Sequence, residues 1–353
     1  MFASRIESGR IVRAAGAFVC ALALHLTAAV AQTTPPPTDW VSTEGRDHPL
    51  VGTIWSTAKN AAVPYSDLAD KMIASRIVVF GEIHVNADHH RLQAWAVETL
   101  ANARRAAGGS GPAQPALAME HIRADKQATL DQFLTSDDRK GDKAADLLLD
   151  RLDWEKSGWP KRDIFRPIFN AALTAHLPIF AGDPEREAIK QVARGIARAV
   201  DRETAERLQL SIKLPAPLQD VLLDELEASH CGLMPRASLS NIATAQHFRD
   251  AHLADATLAG MEKAGSAILL TGNGHVRADR AAAWHLRRRA PDATLTTIVV
   301  VEVEPGKTDA AAYVPKDPEG KAAADFVWFT PRVERPDSCT EMRKQFESRK
   351  KPQ

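Results

Sequence analysis

The chain has 353 residues, 44% of them hydrophobic and 25% charged, so it is long enough to bury a substantial core in one large domain or two modest ones. Its 45 acidic and 45 basic side chains cancel. Without a net positive field, charge-driven binding to nucleic acid or to an anionic membrane is not expected.

The first residues, 1–31, are typical of a cleavable export signal. A basic region with three arginines precedes the apolar run 14–24. Ala29-Val30-Ala31 then forms the small-x-small pattern of a signal-peptidase cleavage site. The apolar run is short for a bilayer span. We therefore predict a periplasmic or secreted protein, cleaved near Ala31 and without a membrane span.

Export leaves two cysteines, Cys231 and Cys339, in an oxidising compartment. Two cysteines in such a compartment usually pair, and the bond would tie the C-terminal part of the chain to its helical middle. The alternative is two separate thiols. We predict the disulfide.

A proline-rich linker and N-terminal segment (32–60) precede the main domain, 61–340. In this domain short β-branched runs alternate with longer helical patterns, which predicts an α/β fold with a mainly parallel sheet flanked by helices. The predicted strands are 76–84, 117–122, 177–182, 267–276, 294–303 and an edge strand at 325–329. The stretch 185–263 has helical patterning only, so we predict a smaller all-helical subdomain inserted there. A basic tail, 341–353, is expected to fray at its end.

Polar side chains gather where four of the predicted strands end. In a parallel sheet these carboxyl ends border one crevice, and ligands bind there. An unpaired buried carboxylate is costly, so its repeated placement indicates a site. The residues are Glu82, His84, Glu120, His121, Asp183, Asn273 and His275.

Side chains alternate along a strand, so residues two apart share a face. Glu82 is therefore predicted to project with His84, and Asn273 with His275. Adjacent residues diverge, so at the end of the second strand only Glu120 is expected to enter the site.

The segment Gly81–Asp88 is echoed by Gly272–Asp279, with Gly, His, Val, Ala and Asp in register at two strand-to-helix crossovers. Asp88 and Asp279 are predicted N-caps of the helices that follow. Capping does not explain why a histidine ends both strands, so we favour a functional role for these histidines.

His89 and His90 fall in the first turn of the helix after the first strand, where the helix dipole favours neutral imidazole. We expect one of them to face the site and the other to be solvated. Arg277 follows the fourth strand closely enough to pair with an anionic ligand. The other histidines, His121 among them, are expected to serve packing or to lie on the surface.

Carboxylates and neutral imidazoles are good ligands for Zn²⁺, Mn²⁺ or Co²⁺, and a glutamate can act as a general base. One hypothesis is therefore a metal-dependent or acid/base hydrolase whose catalytic residues and metal ligands are Glu82, His84, Glu120 and His275. The sequence has no phosphate-binding loop, no dinucleotide-binding fingerprint and no nucleophile elbow. In the second of the two echoed segments, Asn273 occupies the position that Glu82 has in the first. This difference is also compatible with a third hypothesis, a scaffold whose site has degenerated.

Taken together, these motifs resemble those of the ChaN family of haem-binding uptake proteins in the Tiki superfamily. The resemblance runs in one order from about Arg76 to Cys339. It rests on GEIH and the two histidines after it, AMEH, Trp159-Pro160, Arg166-Pro167, Asp183-Pro184-Glu185-Arg186-Glu187, His230-Cys231-Gly232, GNGHVRAD and Pro336-Asp337-Ser338-Cys339.

The resemblance implies a haem-sized pocket between a parallel-sheet domain and a helical domain, a periplasmic or membrane-associated role in haem or iron uptake or handling, and haem bound by a homodimer. It also implies a tyrosine on the iron, but Tyr65 and Tyr313 are the only tyrosines and lie outside the matched motifs. A histidine is the alternative donor. The wider superfamily, with its metalloproteases and erythromycin esterases, implies a hydrolase as the alternative function. The predicted ligand-binding residues are Glu82, His84, His89, His90, Glu120, Asp183, Asn273, His275 and Arg277.

Overall fold

The computed structural model describes residues 1–2, 34–106, 114–196 and 200–350. Thr33–Gln353 forms one compact unit, and Met1–Gln32 forms another, of which only Met1 and Phe2 are described. The predicted export signal therefore lies outside the described residues, apart from its first two.

One sheet organises the described part of the chain, and it has eight strands in the order β2-β1-β8-β7-β3-β6-β4-β5. The strands are β1 (Ile54–Ser56), β2 (Ala61–Val63), β3 (Ile77–Phe80), β4 (Ala116–Arg123), β5 (Ile179–Asp183), β6 (Ala267–Leu270), β7 (Leu295–Glu302) and β8 (Phe326–Thr330). All pairs from β8 to β5 are parallel, and only β1 and β2 run antiparallel to their neighbours. The predicted α/β class with a mainly parallel sheet is confirmed.

The predicted sheet differs from the structure in three respects. The strand 325–329 was expected at an edge, but β8 lies inside the sheet, between β7 and β1. The sequence pattern missed β1 and β2 because three-residue strands are too short to show a period. The strands predicted at 76–84 and 267–276 end earlier, at Phe80 and Leu270.

The described residues form twelve α-helices: α1 (Tyr65–Ala74), α2 (Ala87–Ala106), α3 (Gln127–Thr135), α4 (Ala144–Arg151), α5 (Trp154–Ser157), α6 (Arg162–Thr174), α7 (Arg186–Ala193), α8 (Arg202–Arg207), α9 (Ala216–Ser229), α10 (Arg236–Ala264), α11 (Ala282–Arg289) and α12 (Ser338–Lys350). Over its described residues the stretch 185–263 contains α7, α8, α9 and most of α10, as its helical pattern predicted. The long helix α10 packs across β4, β5 and β6, so it brings its polar side chains to the sheet.

Alternate residues of the central strand β3 enter two different apolar cores. Val78 and Phe80 belong to the core that α1, α2 and α6 cover, and Ile77 and Val79 belong to the core under α10 and α11. Because both faces are buried, the strand is a continuous apolar run. Its polar residues are therefore confined to the turn that follows it.

The disulfide between Cys231 and Cys339 is present, which confirms that prediction. It joins the chain just after α9 to the first turn of α12. No helix in the described ranges combines the length and the apolar character needed to cross a membrane. The helix α12 includes much of the predicted tail, and residues 351–353 lie outside the described part.

Candidate functional site at the carboxyl edge of the sheet

Glu82 lies two residues beyond β3, and three histidines surround its carboxylate. Oε1 of Glu82 contacts Nδ1 of His84 and lies 3.1 Å from Nε2 of His121. Oε2 lies 3.3 Å from Nε2 of His90. The turn after β3, the first turn of α2 and the end of β4 supply these side chains. We call Glu82, His84, His90 and His121 the Glu82 centre.

Two aromatic rings wall this centre. The ring of Trp159 lies 4.8 Å from the rings of both His84 and His121. The ring of Phe165 lies 4.0 Å from His90 and 4.8 Å from His121. These apolar rings keep water from the carboxylate and so strengthen its interactions with the imidazoles.

Burial alone would raise the pKa of Glu82, but hydrogen bonds with His121 and His84, together with the nearby imidazole of His90, outweigh it and hold that pKa well below its usual range. Glu82 is therefore a carboxylate. Burial lowers the pKa of His90, so its imidazole is neutral near pH 7. For His84 burial acts in the same direction, but the hydrogen bond and the charge of Glu82 outweigh it and raise its pKa.

Exposure separates His84 from the rest of the centre. Its side chain is 39% exposed, whereas those of Glu82, His90 and His121 are fully buried. Within the described structure, four buried polar atoms of this centre make no hydrogen bond: Oε2 of Glu82, both ring nitrogens of His90 and Nδ1 of His121. One donor atom each from Glu82, His84 and His121 lie within 4.8 Å of one another, a spacing that suits a metal ion.

Glu120 lies on the other side of β4 and is enclosed by partners. Oε1 accepts a hydrogen bond of 2.8 Å from Arg249 and lies 3.3 Å from Nε2 of His275. Oε2 accepts hydrogen bonds of 2.7 Å from the hydroxyl of Thr271 and from the backbone N–H of Gly272. The carboxylate therefore has a partner on each oxygen.

Two further acids complete this group. Nε of Arg249 donates to Asp183 at 2.7 Å, and Nδ1 of His275 lies 2.7 Å from Asp250. We call Glu120, Asp183, Arg249, Asp250 and His275 the Glu120 centre. It ties α10, which carries Arg249 and Asp250, to the carboxyl edge of β4 and β5.

Burial by itself lowers the pKa of His275, but the charges and hydrogen bonds of Glu120 and Asp250 outweigh it and raise that pKa to about 10. Burial would raise the pKa of Glu120, yet His275 and Arg249 bring it well below its usual range. The pKa of Asp183 is raised because burial dominates there. The centre thus holds a protonated imidazole and a guanidinium against buried carboxylates.

The four residues on which the predicted site depends do meet at one edge of the sheet, but they divide between two centres. Gly272 separates them: a Cβ atom at this position would lie 2.8 Å from Cε1 of His84 and 3.6 Å from Oε2 of Glu120. Glu82 and His84 have His121, rather than Glu120 and His275, at metal-ligand spacing. Glu120 and His121 point to opposite sides of β4, as expected, but each side carries one of the two centres. The prediction that His121 serves ordinary packing is therefore wrong, because His121 belongs to the Glu82 centre.

Asn273 and His275 do not share a face as predicted. They lie in a 3₁₀ turn, Asn273–His275, because β6 has already ended, so strand alternation does not apply. The amide of Asn273 donates to the carbonyl of Val300 at 2.7 Å and accepts from its N–H at 3.2 Å. Asn273 therefore holds the turn against β7.

Both histidines at the start of α2 are buried, so the prediction that one is solvated is wrong. Nδ1 of His89 accepts the N–H of Ile83 at 2.9 Å, and Nε2 lies 2.8 Å from the hydroxyl of Thr330. Burial lowers the pKa of His89 to about 4. His89 thus fixes the turn that carries Glu82, and His90 is the member of the pair that contacts the carboxylate.

The guanidinium of Arg277 is occupied within the protein. It donates to both oxygens of Asp279, at 3.0 and 2.6 Å, and lies 3.6 Å from Glu225. It is only 7% exposed. These contacts do not support its predicted role toward an anionic ligand.

The two aspartates predicted as N-caps have other roles. The carboxylate of Asp88 accepts the N–H groups of Val41 and Ser42 at 2.8 Å each and so fastens the N-terminal segment to α2. The cap is Asn86, whose Oδ1 accepts the N–H of Asp88 at 3.0 Å. Asp279 precedes the first residue of α11 by three positions and pairs with Arg277 instead.

Sequence reasoning did not single out Arg249 and Asp250. They lie in the middle of α10, without a motif, and their polar side chains are indistinguishable from those of a solvated helix face. Trp159 was part of a motif that carried the family resemblance, and that was the only signal for it.

A sequence model of the family described as haem-binding uptake, Tiki superfamily, ChaN matches residues 68–286. Among solved structures, ChaN of Campylobacter jejuni, described with cofacial haem binding, has a TM-score of 0.60 at 17% identity, over 78% of this chain and 95% of that one. It shares the fold.

Two other solved structures show weaker likeness. An erythromycin esterase mutant in its open conformation has a TM-score of 0.42 at 13% identity, over 78% of this chain and 95% of that one. The type III effector HopBA1 has a TM-score of 0.38 at 15% identity, over 75% of this chain and 91% of that one. Comparison with curated proteins finds no match.

Proposed function

The chain belongs to the ChaN family of haem-binding uptake proteins in the Tiki superfamily, and we propose from this that it binds haem as cargo, with His84 on the iron. The apolar, basic N-terminal sequence and the disulfide support a periplasmic or secreted location. The role we propose there is haem or iron uptake or handling. A homodimer stays a prediction.

The orientation and exposure of His84 carry this proposal. Its Nδ1 contacts the buried carboxylate of Glu82, and Nε2 has no hydrogen-bond partner among the described residues. A carboxylate on one ring nitrogen fixes the orientation of an imidazole and makes the other nitrogen a better donor to a metal. Histidine is a common axial ligand of haem iron, so the donor chemistry fits.

The surroundings of His84 suit a flat, apolar ligand. Val85 is 44% exposed, and Ile83 and Trp159 are partly exposed beside it. Exposed apolar side chains beside a partly exposed imidazole are typical of a ligand-binding surface. Glu82, His90 and His121 lie behind these side chains and hold His84 in place.

Tyr313 is a poor donor in this chain. Its hydroxyl accepts the N–H of Glu304 at 2.7 Å and donates to the carbonyl of Lys307 at 3.0 Å. The ammonium group of Lys307 also lies 4.0 Å from the centre of its ring. Tyr65 opens α1 and lines a pocket that His84 does not border.

Hemin titration followed by absorption tests the proposal. We expect a shifted, saturable Soret band for the wild-type protein and at least about tenfold weaker binding for His84→Gln, because the iron loses its donor. The matched control is His176→Gln, which removes an exposed histidine outside both centres. A wild-type protein with no Soret shift, or equal affinities for all three proteins, would contradict the proposal.

A second candidate function, a divalent-metal site with hydrolase activity, is favoured by the spacing of Glu82, His84 and His121. Metal analysis and thermal shifts with Zn²⁺, Mn²⁺ and Co²⁺ test it. If a metal binds there, His121→Gln removes the metal response, whereas hemin binding through His84 survives. No metal content and no shift with any of the three ions would exclude this candidate.

A further inference from the structure

A pocket of about 420 Å³ lies against the N-terminal segment and shares no residue with the Glu82 centre or the Glu120 centre. Its walls include Pro35, Pro36, Ile54, Val63, Tyr65 and Trp328. We call it the Tyr65 pocket. Its volume lies in the range of about 300–1,000 Å³ that is usual for small-molecule sites.

The walls of the Tyr65 pocket are fixed by contacts with the core. The indole N–H of Trp95 donates to the carbonyl of Thr34 at 2.7 Å and so anchors the segment that carries the two prolines. Trp328 packs edge-on against Trp95, with ring centroids 5.3 Å apart. A preformed pocket loses little conformational entropy when a ligand enters.

The hydroxyl of Tyr65 is a hydrogen-bonding group of this pocket without a partner among the described residues. Tyr65 is half-buried, and its hydroxyl makes no hydrogen bond to a described residue. Trp328 is 1% exposed and its Nε1 is buried, so its indole forms part of the wall and its N–H is closed to a ligand. A single polar group in an apolar pocket fixes the orientation of a ligand that can pair with it.

The lining also limits the charge of a ligand. It contains prolines, aliphatic and aromatic side chains, threonines and a glycine, and no charged side chain. A carboxylate or an ammonium group would lose its hydration here without gaining an ion pair, which is unfavourable. The lining instead suits a neutral ligand that stacks on aromatic rings.

We propose that the Tyr65 pocket binds a neutral, planar aromatic compound that carries a carbonyl acceptor. The carbonyl accepts a hydrogen bond from the hydroxyl of Tyr65, and the ring system packs against the prolines and Ile54. This activity is separate from the proposed haem binding and does not depend on His84.

Calorimetric titration of the full chain with 2-acetylnaphthalene tests the proposal, with 2-ethylnaphthalene as the analogue without an acceptor. We expect the acetyl compound to bind on the order of tenfold more tightly, and Tyr65→Phe to lose that difference. Ala62→Trp fills the pocket from an exposed position of β2 and is expected to abolish binding. Ala61→Trp, at the exposed neighbouring position outside the lining, is the matched control.

Equal binding of the two naphthalenes, or unchanged binding by Ala62→Trp, would overturn the proposal. Hemin titration of the same variants distinguishes this proposal from the previous one. Ala62→Trp is expected to keep wild-type hemin binding, and its loss would overturn the assignment of separate ligands to the two sites.

Discussion

Glu82 and Glu120 are both buried carboxylates at the same edge of the sheet, but their partners differ in kind. Glu120 is held by the permanently charged Arg249 and by a protonated His275, and all its contacts are satisfied. Glu82 has only histidines, one of which is exposed. A carboxylate neutralised by a guanidinium is fixed as a structural element, whereas one neutralised by imidazoles leaves donor atoms for chemistry.

The largest difference between the two centres is expected in how much each glutamate contributes to the free energy of unfolding. Glu120→Gln removes the carboxylate that Arg249 and His275 share, so that each buried cation keeps only its second acid, Asp183 or Asp250. Breaking a buried ion pair costs about 3–5 kcal/mol. Glu82→Gln removes contacts with three histidines and with no permanently charged side chain, so we expect a loss below about 2 kcal/mol. Urea unfolding of both variants measures the two free energies. Equal losses would erase the distinction between the centres.

The pH dependence of stability should come from the Glu120 centre. The pKa of His275 is raised to about 10 by Glu120 and Asp250, against the effect of burial, while an unfolded histidine titrates near 6.5. The folded state therefore holds this proton more tightly, so its stabilisation is complete below about pH 6.5 and is lost as the pH rises towards 10.

We expect the free energy of unfolding to fall by about 2–4 kcal/mol between pH 7 and pH 10 in the wild type, and less in His275→Gln. Urea unfolding across this range supplies the measurement. Parallel pH profiles for the two proteins would show that His275 is not held as a cation.

Gly272 allows a test of the boundary between the centres. Its φ is −63°, so an added Cβ acts through contact rather than through backbone strain, and it would lie 2.8 Å from Cε1 of His84. We expect Gly272→Ala to displace that ring and to weaken hemin binding about tenfold. Gly274→Ala is the matched control because its Cβ would meet nothing within 4 Å. If both variants bind hemin as the wild type does, His84 does not depend on this contact.

The smallest effect is expected at His90. Both its ring nitrogens lack a hydrogen bond, and its ring packs 4.0 Å from Phe165. His90→Phe keeps this ring packing and removes only the 3.3 Å contact with Oε2 of Glu82, so it should change the free energy of unfolding by less than about 1 kcal/mol. A much larger loss in urea unfolding would mean that His90 is part of a satisfied network, like that of Glu120.

The sheet and the edge that carries the site were predictable, because β-branched apolar runs mark buried parallel strands and polar residues stand out where these runs stop. The division into two centres was not. It depends on turns that begin after Phe80 and Leu270, where strand alternation ceases to apply. It also depends on Arg249 and Asp250, which reach the edge only because the long helix α10 packs across the sheet.

The donor atom on the iron is the most direct test of the account. The hemin complex is reduced to ferrous haem and studied by resonance Raman spectroscopy. We expect an iron–histidine stretching mode in the wild-type protein and in His176→Gln, and no such mode in His84→Gln. An iron–tyrosinate mode in the ferric wild-type complex, or an iron–histidine mode that persists without His84, would contradict the assignment.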